Sequence, residues 1–95
     1  MPGLIWSRKA RADIDRIEDW LDDNRRPDYS LRVIRAIQAK VALLARSPQI
    51  GARLEGELQK TRVLGTPYLI VFADRSEHVE ILRLFHESED WQAKL

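Results

Sequence analysis

The sequence predicts an α+β domain: a helical hairpin covers one face of a mainly antiparallel four-stranded sheet, in the order β-α-α-β-β-β. Three observations point there. Two runs rich in β-branched and aromatic residues, Tyr68–Ala73 and His78–His86, flank the polar turn Asp74-Arg75-Ser76-Glu77, the pattern of an antiparallel hairpin. Two long segments before them repeat apolar residues every three or four positions, as amphipathic helices do. A chain of 95 residues buries roughly 60–65% of its unfolded surface, which supports one core and one domain over residues 1–95.

The first element is Leu4-Ile5-Trp6, short and apolar, read as a strand at the sheet edge. Ser7 follows as a helix N-cap, its hydroxyl free to accept a backbone N–H of the first turn. From Arg8 to about Asn24, Ala10, Ile14, Ile17 and Leu21 form one stripe, with Trp20 beside it. Asp13, Asp15, Glu18, Asp19, Asp22 and Asp23 fill much of the remaining surface and read as a solvated face. Pro27 ends the helix, and Asp28 is the expected cap of a second helix from about Tyr29 to Arg46. Its stripe is Ile34, Ile37, Val41 and Leu44, flanked by Leu31 and Val33; Arg32, Arg35 and Arg46 fall on another face with Ala39 and Ala42. Ser47-Pro48 stops it, and the short connection makes the helices an antiparallel hairpin. Residues 48–60 read as loop, with a turn of helix around Leu54 and Leu58. Arg62-Val63-Leu64 reads as a short strand before the Gly65-Thr66-Pro67 break. Tyr68–Ala73 is nearly continuous in apolar residues, so it belongs at the sheet centre, covered on both faces.

Composition excludes several classes of function. With 44% apolar and 33% charged residues, the chain is a folded globular protein. It has no cysteine, hence neither disulfides nor thiolate metal sites, and its two histidines lack metal-ligand spacing. No apolar run approaches the roughly 20 residues needed to cross a bilayer. Met1–Trp6 has no long apolar segment of a signal peptide. Neither cofactor nor metal is expected, and these features together point to a cytosolic protein. The net charge of +1 is divided unevenly, +4 over residues 1–53 and −3 over residues 54–95. Residues 25–53 carry seven cations against Asp28 alone. Such a run is either a solvated helix face or a docking surface for an acidic peptide or nucleic acid.

The order of elements, with Pro48-Gln49-Ile50-Gly51, Arg62-Val63-Leu64, Pro67-Tyr68-Leu69-Ile70-Val71-Phe72 and the segment Val79–His86, resembles the RelE/ParE toxin superfamily, on its ParE-like side. The opening Ile5-Trp6-Ser7 with Ala10, Asp13 and Ile14, and the ending His86-Glu87-Ser88-Glu89-Asp90-Trp91, are similar too. The resemblance covers nearly the whole chain. It implies the toxin half of a bacterial type II toxin–antitoxin pair, of the kind that stabilises plasmids, with a cognate antitoxin as protein partner. One branch of the superfamily cuts mRNA on the ribosome; the other poisons DNA gyrase by binding it.

RNA cleavage by attack of a 2′-hydroxyl requires a base, an acid, and cations that stabilise the phosphorane. Where the nuclease branch commonly places such cations, this chain aligns Leu69 and Glu89. The remaining catalytic candidates are Arg62, Arg83 and His86. A strand-end histidine has a structural role as its plainer reading, and Arg83, alternating with Ile81 and Phe85, can simply pair with an acid. Candidates for antitoxin or target binding are Arg32, Arg35, Arg46, Arg53, Tyr68 and Trp91. Tyr68 can equally be core packing, and Trp91 a lid on the core. Three readings stay open: a gyrase-binding inhibitor, favoured by Leu69 and Glu89; a ribosome-dependent endoribonuclease; and a toxin-like fold without toxicity. What separates them is whether basic and acid/base groups converge on the open sheet face.

Overall fold

A computed structural model describes residues 3–95. Met1 and Pro2, and the part of the N-terminal reading that rests on them, lie outside those residues. The elements are β1 (Gly3–Trp6), α1 (Arg8–Asn24), α2 (Pro27–Arg46), β2 (Ala52–Arg53), β3 (Leu58–Arg62), β4 (Tyr68–Asp74) and β5 (His78–His86), with 3₁₀ turns at Pro48–Ile50 and Trp91–Lys94. The strand order is β1-β5-β4-β3-β2. β1 runs parallel to β5 and the other three pairings are antiparallel. The sheet is therefore five-stranded and mixed, not four-stranded.

The extra strand lies in the segment read as loop. Ala52 and Arg53 pair with Lys60 and Gln59 around a turn that Gly56 enters at φ 60°. Two residue pairs, with Ala52 their only apolar member, are too few to leave a periodic signal. No helical turn forms at Leu54 and Leu58; the Leu54 N–H donates to the Leu58 carbonyl across the turn instead. β3 also precedes the segment expected, ending at Arg62 rather than at Leu64. Val63–Pro67 are taken by the turn, where the Val63 N–H donates to the Tyr68 carbonyl, the Thr66 N–H to that of Val63, and Gly65 adopts φ 79°. That turn leaves Leu64 82% exposed at its tip.

The helices form as their stripes require. The Ser7 hydroxyl accepts the Ala10 N–H at 3.0 Å, the cap expected. α2 starts earlier than expected, with Pro27 in the first turn and Arg26 at the cap position without a side-chain bond. Proline fits that place because its missing N–H would have had no partner there, and Asp28 then favours the helix as an anion within its first turn. Ile17, Leu21, Val33, Ile34, Ile37, Val41 and Leu44 pack on Ile70, Phe72, Val79, Ile81 and Leu84 of the sheet. Ile14, expected in this core, is only partly buried at its margin.

β4 occupies the sheet centre and is buried on both faces from Tyr68 to Ala73. Its alternate side chains Leu69 and Val71, with Phe85 of β5, form a second apolar cluster on the face away from the helices. Leu54, Leu58, Leu82 and Trp91 cover it. Gly51 marks a close approach on the way out of α2. A Cβ there would stand 2.3 Å from the Phe72 ring, so the Pro48–Gly51 segment admits no side chain at that point.

Candidate functional site

α1 seals the sheet where β1 runs out. β1 pairs with β5 only as far as Ile81, which leaves the edge of β5 beyond it without a strand partner. Ser7 takes over: its N–H donates to the Ile81 carbonyl and its hydroxyl to the Leu82 carbonyl, each at 2.8 Å. Leu82 is the extra residue of a β-bulge opposite Val71/Phe72. Six residues on, the Asp13 carboxylate accepts the Leu84 N–H at 2.9 Å. Arg83 reaches the same carboxylate with two bonds, Nε to Oδ2 at 2.8 Å and Nη2 to Oδ1 at 3.1 Å. Its third nitrogen donates to the Lys94 carbonyl. Asp13 is buried, so it is not part of the solvated acidic face. Burial alone would push its carboxyl up, but the bonds from Arg83, Leu84 and Arg16 hold it below the usual carboxylate range. Arg83 in turn is held above its ordinary value by Asp13. All of its nitrogens are engaged within the fold.

On the open sheet face a shallow depression is lined by Lys60, Thr61, Arg62, Leu69, Glu87 and Trp91, among others. Arg62 forms an ion pair with Glu87. The Lys60 ammonium lies 5.0 Å from the Trp91 ring centroid, and Trp91 stacks on Phe85 at 6.4 Å. Trp91 thus covers the second apolar cluster. Leu69 and Glu89 supply no cation here: Leu69 is buried in that cluster, and Glu89 binds the His86 N–H and Lys94 Nζ. Burial raises the Glu89 carboxyl, but those two bonds outweigh it and hold it below its ordinary range.

His86 is turned to the opposite, helix-covered face. Its ring meets that of Tyr68 edge-on, centroids 5.4 Å apart. The Ser88 N–H donates to His86 Nδ1 at 3.0 Å, and the Ser88 hydroxyl lies 2.7 Å from the same nitrogen. A backbone N–H can only donate, so Nδ1 is the acceptor and neutral His86 carries its proton on Nε2. Tyr68 and His86 line a cavity of about 370 Å³ together with Arg16, Ile17 and Trp20 of α1, while Ser88 and Glu89 close its rim. Burial, reinforced by Tyr29, pushes the Tyr68 hydroxyl above its ordinary value, so it stays a neutral donor.

The three catalytic candidates therefore do not converge. Arg62 is paired on the open face, Arg83 wraps the β5 edge to reach Asp13, and His86 faces the helices. Arg32, Arg35 and Arg46 stand exposed along the outer side of α2, and Arg53 is exposed on β2; none has an ion-pair partner among the described residues. Arg32 lies over the Tyr29 ring at 5.2 Å. Among the described residues no cluster of three metal-ligating side chains occurs, and no helix is long and apolar enough to cross a membrane. Sequence reasoning missed Asp13 as an anchor, and it missed Arg16 and Trp20 as cavity walls. Asp13 carried a signal: it sits between Ala10 and Ile17, at the margin of the buried stripe.

Comparison with known proteins agrees with this architecture. Residues 4–91 match the model of the ParE toxin of the type II toxin–antitoxin system parDE. Among solved structures the chain is similar to one described as a chromosomal ParDE TA system from P. aeruginosa, with 26% identity, a TM-score of 0.80, and 90% of this chain and 96% of that one covered. It shares its fold with the isolated E. coli RelE toxin, at 14% identity and TM-score 0.64, covering 99% of this chain and 94% of that one. It also shares it with a conserved hypothetical protein from Helicobacter pylori, at 22% identity and TM-score 0.60, covering 94% and 98%. A search of curated proteins returned no match. With the family model spanning nearly every element from β1 to Trp91, the chain belongs to the ParE toxin family of type II toxin–antitoxin systems.

Proposed function

We propose that this toxin inhibits DNA gyrase by binding it, without cutting RNA, and that a cognate antitoxin neutralises it in the cytoplasm. The observation that carries the reading is the dispersal of Arg62, Arg83 and His86 to three separate places with three separate partners. A 2′-hydroxyl attack needs its base, acid and cations within reach of one phosphate. Arg83 has no nitrogen left to offer, and His86 lies behind the sheet from the open face. Binding needs no such convergence. Exposed surface is enough, and Leu64, Trp20 and the arginines of α2 supply it.

The antitoxin reading rests on the family and on charge. Its toxin-binding segment is disordered when free and folds on binding. The unpaired Arg32, Arg35, Arg46 and Arg53 suit an acidic segment, and β1 lies at a sheet edge where an added strand could pair. Affinity should then fall as salt screens charges over a Debye length of about 8 Å; an affinity equal at low and high salt would remove the α2 surface from the account.

A second reading, ribosome-dependent endoribonuclease, is favoured by one feature: Lys60, Arg62 and Trp91 lie together on the open face, a combination that suits a nucleic-acid strand. One experiment separates the two. Purified protein is mixed with gyrase and relaxed plasmid, and separately with translating ribosomes. Loss of supercoiling with intact mRNA is expected. Ribosome-dependent mRNA cleavage with gyrase untouched would overturn the assignment.

A further inference from the structure

The geometry points to the cavity between α1 and the ends of β4 and β5 as a binding site for a single carboxylate, held by the Tyr68 hydroxyl, His86 Nε2–H and the Arg16 guanidinium. Tyr68 is 95% buried, yet its hydroxyl has no hydrogen-bond partner among the described residues, and its side chain lines the cavity. The ring is what the fold buries; the hydroxyl opens into the cavity, since no buried side-chain polar atom among the described residues lacks a partner. His86 is in the same state: Ser88 occupies Nδ1 and thereby leaves Nε2–H without one. Arg16 gives one nitrogen to Asp13 at 3.0 Å and keeps the rest of its fork, with its side chain 56% exposed. The three donors line one space, together with Glu89. Glu89 lines the rim, but both its oxygens are already used, one by the His86 N–H and one by Lys94.

The charge balance selects the ligand. One guanidinium, already shared with Asp13, and two neutral donors compensate about one negative charge. Glu89 would oppose a second. A carboxylate fits that balance and a phosphate dianion does not. Ile17, Tyr68 and the half-exposed Trp20 give the cavity an apolar wall, and the Arg25 guanidinium sits 5.4 Å from the Trp20 ring centroid. At about 370 Å³ the cavity is near the lower end of the range for small-ligand sites. A carboxylate with a flat or apolar body behind it therefore fits best. Such a group can be an acidic side chain of the antitoxin, which rests on the function proposed above, or a free organic acid, which does not.

The test has two arms. In the first, the purified chain alone is titrated with phenylacetate, acetate or inorganic phosphate at constant ionic strength, following the Trp20 indole N–H and the His86 and Tyr68 rings by NMR. Saturable shifts of all three with phenylacetate, weaker with acetate and weaker still with phosphate, are expected. Tyr68→Phe and Arg16→Gln should each weaken phenylacetate binding about tenfold, the worth of a hydrogen bond to a charged group, with both variants melting like the parent. No saturable shift, equal binding by Tyr68→Phe, or a preference for phosphate would each overturn the proposal. In the second arm the toxin–antitoxin complex is measured with and without phenylacetate. Competition identifies an antitoxin side chain as the source; indifference, with binding intact in the first arm, identifies a free acid. If the gyrase reading fails while the first arm succeeds, the site stands without it.

Discussion

Arg83 and His86 stand three residues apart on β5, Arg83 reaching α1 around the sheet edge and His86 facing it directly, and their surroundings could hardly differ more. At Arg83 every nitrogen has an acceptor, and the Asp13 carboxylate between them collects the backbone N–H of Leu84 as well. At His86 and its neighbour Tyr68 the donors meet an open cavity. The difference teaches that an ionisable side chain at a strand end is not by that fact a site. A saturated group closes the fold: here it replaces the strand partner that β1 no longer provides. An unsaturated one that lines a cavity is what a ligand could use. The comparison also accounts for the failure of the catalytic candidates to assemble, since Arg83 pairs with an acid, as its plainer reading had it, and is consumed by the fold.

The largest effect should come from breaking the saturated pair. Asp13→Ala leaves the half-buried Arg83 without its counter-ion and the Leu84 N–H without its acceptor, and should cost about 3–5 kcal/mol in urea unfolding. Replacing both, Asp13→Leu with Arg83→Met, should recover most of that loss, because removing a whole buried pair is far cheaper than removing half. A double variant as unstable as the single one would show that the pair is more than an edge closure. Ile37→Ala in the centre of the helix–sheet core, at 0% exposure, should cost about 2–5 kcal/mol and provides the yardstick for a purely apolar loss.

A pH effect of intermediate size follows from the same pair. The carboxyl of Asp13 is held low in the folded chain, as is that of Glu89. A depressed folded value means stabilisation fully present above the unfolded value of about 4 and lost as pH falls through the folded one. The urea midpoint should hold from neutral pH to about 5 and then decline, and the decline should be shallower in the Asp13→Leu/Arg83→Met variant. A midpoint flat down to pH 2 would contradict the ion-pair account. The smallest effect is expected at the unsaturated end. Tyr68→Phe removes a hydroxyl with no partner in the fold, so stability should change by less than about 0.5 kcal/mol.

The helical hairpin was legible in the sequence because each of its stripes repeats over about three turns, and Ser7 announced α1. β4 and β5 were legible because β-branched and aromatic residues fill them. β2 and the position of β3 were not. Leu58-Gln59-Lys60-Thr61-Arg62 is polar at every position after Leu58, and its membership of the sheet is decided by pairing with β4 rather than by its own composition. For the same reason the fifth strand and the parallel pairing of β1 escaped notice. The site residues divide similarly. His86 and Tyr68 drew attention as residue types, but their common cavity depends on Arg16 and Trp20, which are 52 and 66 positions away from Tyr68 and His86 respectively. Asp13 hid among five other acids of α1, and only the unpaired edge of β5 distinguishes it from them.

The measurement that bears most directly on function by binding is the dose–response of gyrase supercoiling for the parent chain and for His86→Ala. If the chain works by covering gyrase surface, His86→Ala should shift the inhibitory concentration by less than about tenfold, with full inhibition still reached. A general acid or base typically carries a factor of about 10²–10⁴. A loss of that size, in a variant whose melting is unchanged, would contradict the account of contacts spread over the surface.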